Sequence, residues 1–191
     1  KLYTFIEVFG LSVALGFVIL LASYAKTEFS VGAKQPLSKQ LYVVGAGDSF
    51  GMTLGTSEEF FPSIPEIKAW TRIVDMDNSN VMVGDDYYKA AEASIDTNFF
   101  KFFDYHLAGC PKEIVLENED EAILSESFAK KVFGNEDPIG RVLSIGDNKL
   151  TVIGVVEDFG STDVFNRYDL FTSIKRAQKR FQLMDNFGST I

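Results

Sequence analysis

Residues 41–51 read LYVVGAGDSFG: an apolar run, Leu41 to Val44, leads into a glycine-rich turn that holds Ser49 in a G-x-S-x-G pattern. In a nucleophile elbow this spacing lifts a serine hydroxyl out of a sharp strand-to-helix bend, where a histidine takes its proton and an acid orients the histidine. The chain has one histidine, His106, so a hydrolytic centre would have to join Ser49 to His106, with Asp75, Asp77 or Asp85 as the acid. The residues after the serine oppose this. Gly51 and Gly55 fall where a helix must start, and glycine costs about 1 kcal/mol relative to alanine at a helical position. The expectation is a polar turn with no catalytic role for Ser49; a membrane-anchored serine hydrolase using Ser49 and His106 is the alternative.

Other reactive patterns fail on their spacing. Gly45 and Gly47 follow an apolar run, but the third glycine of a dinucleotide fingerprint is replaced by Phe50. Asp75, Asp77 and Ser79 offer oxygens at positions 1, 3 and 5 of a calcium loop, yet position 6 is Asn80 and position 12 is Asp86, where an EF-hand has glycine and glutamate. The run Glu117, Glu119, Asp120, Glu121 reads as a solvated acidic face. His106 and Cys110 lie beside a phenylalanine-rich face and read as packing residues. No phosphate-binding G-x-x-x-x-G-K-[ST] occurs. No catalytic, metal or cofactor-binding residue is therefore assigned, and no cofactor is expected.

Composition narrows the class further. The 191 residues are 46% hydrophobic, enough for a sizeable core, and carry a net charge of -9, which repels nucleic acid. One cysteine forms no internal disulfide, and one cysteine with one histidine is too little for a zinc site.

The elements that would position any site begin with an oily segment. Val8 to Ala25 has 18 residues without a charge; as a helix it spans roughly 27 Å, close to the hydrocarbon thickness of a bilayer. It reads as a transmembrane helix over residues 1–25, with residues 26–191 outside the membrane. Ser12 and Gly16 stand four apart, a small-xxx-small spacing that lets another helix approach closely. Two other readings compete: a cleaved signal peptide ending near Ser23 and Ala25, and a buried core helix, which would normally show a polar stripe. The chain opens at Lys1 without methionine and is expected to be a piece of a longer protein.

Beyond a polar connection from Lys26 to Ser38, with Gly32 and Pro36, the pattern predicts a strand at Leu41–Val44 and helical pieces at Ser57–Phe61 and Ile64–Trp70. A turn is expected at Asp75–Asn80, an extended run from Val81 and a strand at Tyr87–Ile95. Residues 96–109 predict a helix capped by Asp96 or Thr97 and ended by Gly109. Ser125 as N-cap, Phe128, Val132 and Phe133 at helical spacing, and Gly134 as terminator define another. Val142–Ile145 and Lys149–Val156 flank Gly146-Asp147-Asn148 and predict a hairpin. The class is α+β with an N-terminal transmembrane helix. The region outside the membrane is expected to be a single domain, with room for two lobes.

Four of these segments, in order, resemble the first span and extracytoplasmic core domain of MacB/FtsX-like ABC transporter permeases. They are residues 3–30, YTFIEVFGLSVALGFVILLASYAKTEFS; KQLYVV, where the family usually has arginine at the place of Val43; IDTNFFKFFDYHLAGCP; and ILSESFAKKVFGNEDPIGRVLSIGDNKLTVIGVVEDF. The last is the most specific; Gly45 to Asn80 matches weakly. The resemblance implies structural roles for Phe99, Phe100, Phe103, Gly109, Ser125, Phe128, Ala129, Phe133, Gly134, Pro138, Gly140 and Gly154, and none for Ser49. It implies a MacB-like periplasmic core domain over 26–191, on the periplasmic side of the bacterial inner membrane. The partners it implies are a cytoplasmic ABC ATPase subunit or domain, a second permease half or homodimer, and a periplasmic adaptor or lipoprotein. The function implied is coupling of ATP-driven motion to export, extrusion or signalling. A membrane-tethered binding or sensor domain is the remaining alternative.

Overall fold

The computed structural model of the protein describes residues 2–31, 40–46, 49–50, 54–113, 115–160 and 163–188. They form two units, Lys1–Ser38 with Phe159–Asn166, and Lys39–Asp158 with Arg167–Ile191. In the first unit, helix α1 runs Leu2–Phe29, 28 residues. Its span Tyr3–Phe29 has a mean hydropathy of 2.4 over its most apolar stretch and is long and apolar enough to cross a membrane. The side chains of that stretch are unburied within the chain. Hydroxyls along it turn back on the helix: Ser12 Oγ donates to Val8 O at 2.7 Å and Thr27 Oγ1 to Ser23 O at 3.1 Å. A hydroxyl paired with its own helix is not left unsatisfied in an apolar surrounding. Gly32 and Pro36 of the expected connection lie outside the described residues.

In the second unit, a two-residue hairpin, β1 (Gly45–Ala46) against β2 (Ser49–Phe50), precedes helix α2 (Leu54–Phe60) and a 3-10 turn at Phe61–Ser63. The main sheet contains β3 (Ile73–Val83), β4 (Asp86–Ile95), β5 (Leu107–Ala108), β6 (Glu121–Ser125), β7 (Val142–Ile145), β8 (Asn148–Val156) and β9 (Leu170–Ser173). Its order is β5-β8-β6-β9-β4-β3-β7, and β7 also pairs with β8. The sheet therefore closes into a six-stranded ring, β3-β4-β9-β6-β8-β7, with β5 added on the outer length of β8. Helix α3 (Phe99–Phe102) follows β4, α4 (Glu126–Phe133) follows β6, and α5 (Ile174–Gly188) follows β9.

Strand alternation fills the ring. Val81, Ala90, Ala122, Leu124, Leu143, Leu150, Val152 and Leu170 form one buried cluster to which all six ring strands contribute, and Phe128 and Ala129 of α4 join it. Phe99, Phe100, Phe103 and Phe171 build a second, aromatic cluster, with centroids 4.9 Å apart for Phe99–Phe103 and 5.4 Å for Phe100–Phe171. Helix α4 begins as its sequence dictates: Ser125 Oγ accepts from Phe128 N, and Gly134 closes the helix at φ 63°. The Val142–Val156 hairpin and the strand at Tyr87–Ile95 form as expected.

Four local expectations are corrected. Leu41–Val44 is not a strand; Tyr42 and Val43 stand more than four-fifths exposed, and β-type residues without a neighbouring strand gain nothing from extension. Ile64–Trp70 is not helical: the Pro65 ring disfavours helical backbone at the residue before it, and Ile64 is extended at φ -105°, ψ 106°. Asp75–Asn80 is not a turn but part of β3, where a bulge between Asp75 and Asn78 absorbs the Asp-Asn chemistry; Asp77 takes φ 63° and donates its N–H to Asp75 Oδ1 at 3.0 Å. The helix expected over 96–109 is one turn, capped at Asn98 without a side-chain bond. The chain leaves the helix at Phe103 and turns at Asp104, φ 56°.

Two glycines permit β5 to lie against β8. A Cβ on Gly154 would come 2.7 Å from Cys110 Sγ and 3.1 Å from Ala108 O, and one on Gly109, at φ 93°, would come 2.3 Å from Ile139 Cδ1. Gly154→Ala should lower stability by about 1–3 kcal/mol in chemical denaturation. Adding Cys110→Ala should recover part of the loss and leave the part due to the Ala108 carbonyl.

Candidate functional site

The residues with potential for nucleophilic chemistry are dispersed. Ser49 lies in β2, opposite Ala46 of β1. His106 Nδ1 is 3.3 Å from Glu157 Oε1, both side chains 71% exposed. Asp75 accepts from Arg167 Nη2 at 2.5 Å, while Asp77 sits in the bulge. Burial pushes the Cys110 thiol above its ordinary pKa and the charge of Glu121 adds to this, so little thiolate forms near neutrality. Among the described residues no group of three or more His, Cys, Asp or Glu side chains is placed to hold a metal ion.

The structure instead assembles two charged clusters that the sequence did not single out. Inside the ring, Glu92 is 1% exposed. It faces the bulge in β3 and accepts from Ser79 Oγ, from Thr172 Oγ1 at 2.9 Å and from Arg176 Nε at 3.3 Å. Since Thr172 gives its proton to Glu92, Ser94 Oγ, 2.9 Å away, donates to Thr172. The one signal available was the alternation Ala90-x-Glu92-x-Ser94, which puts an acid on the same strand face as a buried alanine.

The second cluster joins the start of β3 to the end of β4. The Arg72 backbone N–H donates to Asp96 Oδ2 at 2.7 Å, Nη2 to Asp96 Oδ1 at 2.7 Å and Nη1 to Glu58 Oε1 at 2.7 Å. The guanidinium also lies 5.3 Å from the Trp70 ring centroid. Burial pulls the Arg72 pKa down, but the hydrogen bond and charge of Asp96, followed by those of Glu58, outweigh it and leave the group above its ordinary value. Beside this cluster Phe61, Pro62, Pro65, Trp70, Asp96 and Asn98 line an open groove of about 570 Å³. Its one buried carboxylate, Asp96, is committed to Arg72.

The motif residues occupy packing and turn positions. Phe99, Phe100 and Phe128 are buried, Ala129 is 6% exposed, and Phe133 packs partly buried on the ring core. Pro138 O accepts from Arg141 N at 3.1 Å and Gly140 N donates to Val152 O at 2.8 Å, tying the loop before β7 to β8. Ser12 and Gly16 lie on exposed turns of α1, with nothing within 4 Å of the place of a Cβ on Gly16. Glu117, Glu119 and Asp120 of the acidic run are exposed, as expected; Glu119 also pairs with Lys179 at 3.0 Å, the Glu117 backbone O accepts from Lys175 Nζ at 2.6 Å, and Glu121 accepts from Asn118 Nδ2 at 2.7 Å. Arg72→Met should cost about 3–5 kcal/mol in chemical denaturation, because it leaves Asp96 buried and uncompensated. Arg72→Met with Asp96→Leu should be more stable than the single variant.

Comparison with known proteins places this architecture. The family described as MacB-like periplasmic core domain matches residues 4–191. No curated protein matches the chain. Among solved structures, a domain of a protein designated a permease, from Porphyromonas gingivalis, is similar with a TM-score of 0.55 and 23% identity, over 62% of this chain and 55% of that one. The periplasmic region of MacB from Actinobacillus actinomycetemcomitans gives a TM-score of 0.47 and 21% identity over 59% and 50% of the two chains. The extracellular domain of the ABC-type transporter YknZ from Gram-positive bacteria gives 0.44 and 15% over 58% of each. The chain thus spans about half the length of these structures, and the first of them shows a shared fold. With a family match over all but its first three residues, and an apolar helix followed by an α+β sheet domain, the chain belongs to the family of MacB-like periplasmic core domains, components of ABC transporter-type permeases.

Proposed function

We propose that α1 is a membrane span and that residues 26–191 work outside the inner membrane as a relay. The relay carries ATP-driven motion of a cytoplasmic ABC ATPase to export, extrusion or signalling. The observation that carries this reading is the family match over residues 4–191, joined to a first helix whose span is long and apolar enough to cross a bilayer. The interior of the outer unit supports it: a closed ring with a satisfied buried carboxylate resists deformation, as a body that transmits displacement must. Ser12 and Gly16 are the positions where α1 meets another span, in a second permease half or in a second copy. A periplasmic adaptor or lipoprotein is the outer partner. The motif residues from Phe99 to Gly154 are the scaffold of the relay. The serine-hydrolase alternative has no support from the placement of Ser49 in a two-residue strand and of His106 beside Glu157.

The test is reconstitution of the full-length permease and its ATPase in lipid vesicles. Gly16→Ile should lower permease-dependent ATP hydrolysis at least tenfold with the protein still inserted, whereas Ser49→Ala should change it less than twofold. Full coupling in the Gly16 variant sinks the packing role of α1. Ester hydrolysis lost on Ser49→Ala sinks the relay reading itself.

A further inference from the structure

Where β3 turns into β4, the interior of the ring comes to the surface. Val83, Tyr88, Val132 and Phe133 pack against the buried ring cluster while staying only partly buried themselves. With Val142, which is 50% exposed, they wall an open groove of about 440 Å³. Two elements build it: Val83 pairs with Asp86 across the β3–β4 turn, and Val132 and Phe133 form the end of α4. The carbonyl end of a helix carries partial negative charge. Three charged side chains line the groove, Asp86, Glu136 and Arg141, and two of them cancel, because Arg141 Nη2 lies 2.7 Å from Glu136 Oε2. Asp86 is exposed and has no ion-pair partner among the described residues. The lysines in the last turn of α4, Lys130 and Lys131, do not line the groove, and Lys131 lies over the Phe128 ring at 5.6 Å.

The groove therefore joins apolar and aromatic walls to one unneutralised carboxylate, on a chain of net charge -9. That combination repels an acidic occupant. A neutral apolar side chain would gain the walls but strand Asp86 at a dry contact, where an unpaired charge is costly. A long basic side chain satisfies both: its methylene stem covers the valines, and its cation meets the carboxylate and an aromatic face. We propose that this groove is a docking site for a partner protein and that it takes a lysine or arginine side chain of that partner between Tyr88, Phe133 and Asp86. On the relay reading that partner is the outer one; selectivity for a basic side chain does not depend on that reading.

Three valines line the groove, so valine-methyl NMR of the whole chain in lipid nanodiscs reads its occupancy, and no ATPase is needed. The probe is the capped tripeptide acetyl-Ala-Lys-Ala-amide, with the same peptide carrying Glu or Leu in place of Lys as controls. The lysine peptide should shift Val83, Val132 and Val142 saturably and leave the buried Val115 and Val156 unmoved. Raising NaCl to 1 M should weaken this binding at least tenfold. Asp86→Asn should do the same at low salt; because Asp86 is exposed, the variant should keep its fold, which unchanged Val115 and Val156 signals verify. Absence of shifts in the three valines overturns the inference, as do equal shifts from the glutamate or leucine peptide, or binding that ignores Asp86→Asn. Peptide selectivity that holds while the ATPase assay fails counts against the relay alone.

Discussion

The double pairing of β7 is the constraint on which the outer unit rests. Four residues, Val142–Ile145, bond to β3 on one edge and to β8 on the other, and without them the sheet would be open with two long unpaired edges. Closure creates an interior, and the interior then sets the side chains that face it. Small and branched residues, Ala90, Ala122, Val81, Leu124, Leu143 and Leu170, fill a space bounded on all sides by strands. The loop before β7 is fixed by Gly140 on Val152, so the strand that closes the ring is itself delivered by a turn bonded to its neighbour.

Charge is handled inside this frame by satisfying it fully. Glu92 has three donors and Asp96 a guanidinium with a backbone N–H, so each carboxylate taken from water has replaced its hydration with directed bonds. Such networks specify one arrangement, because any slip of register leaves an unpaired buried charge. The β3 bulge belongs to the same solution: it sits opposite Glu92, where a regular strand would have placed one residue instead of two.

The buried carboxylates Glu92 and Asp96 are spent on holding elements together, and the one cysteine has its thiolate suppressed by burial. The proposed relay asks for a body that keeps its shape under load, and the ring with its interior bonds meets that need.

Sequence alone determined what depends on neighbours a few residues away or on composition. The apolar first helix, the Ser125-capped helix with its glycine stop, the Gly146-Asp147-Asn148 hairpin and the improbability of nucleic-acid binding all follow from local spacing or charge. The family resemblance was legible because its last block fixes caps, turns and strand in a fixed order. Tertiary structure decided the rest. Whether Asp75–Asn80 turned or bulged depended on β4 lying beside it, and whether Leu41–Val44 became a strand depended on a neighbour that none of the described strands supplies. The partners of Glu92, Arg72 and the Glu117–Asp120 run come from 13 to 84 residues away along the chain, a separation at which no spacing rule operates. Ring closure, the buried carboxylate and its pairing with Arg176 are products of long-range contacts, which a linear pattern permits but does not specify.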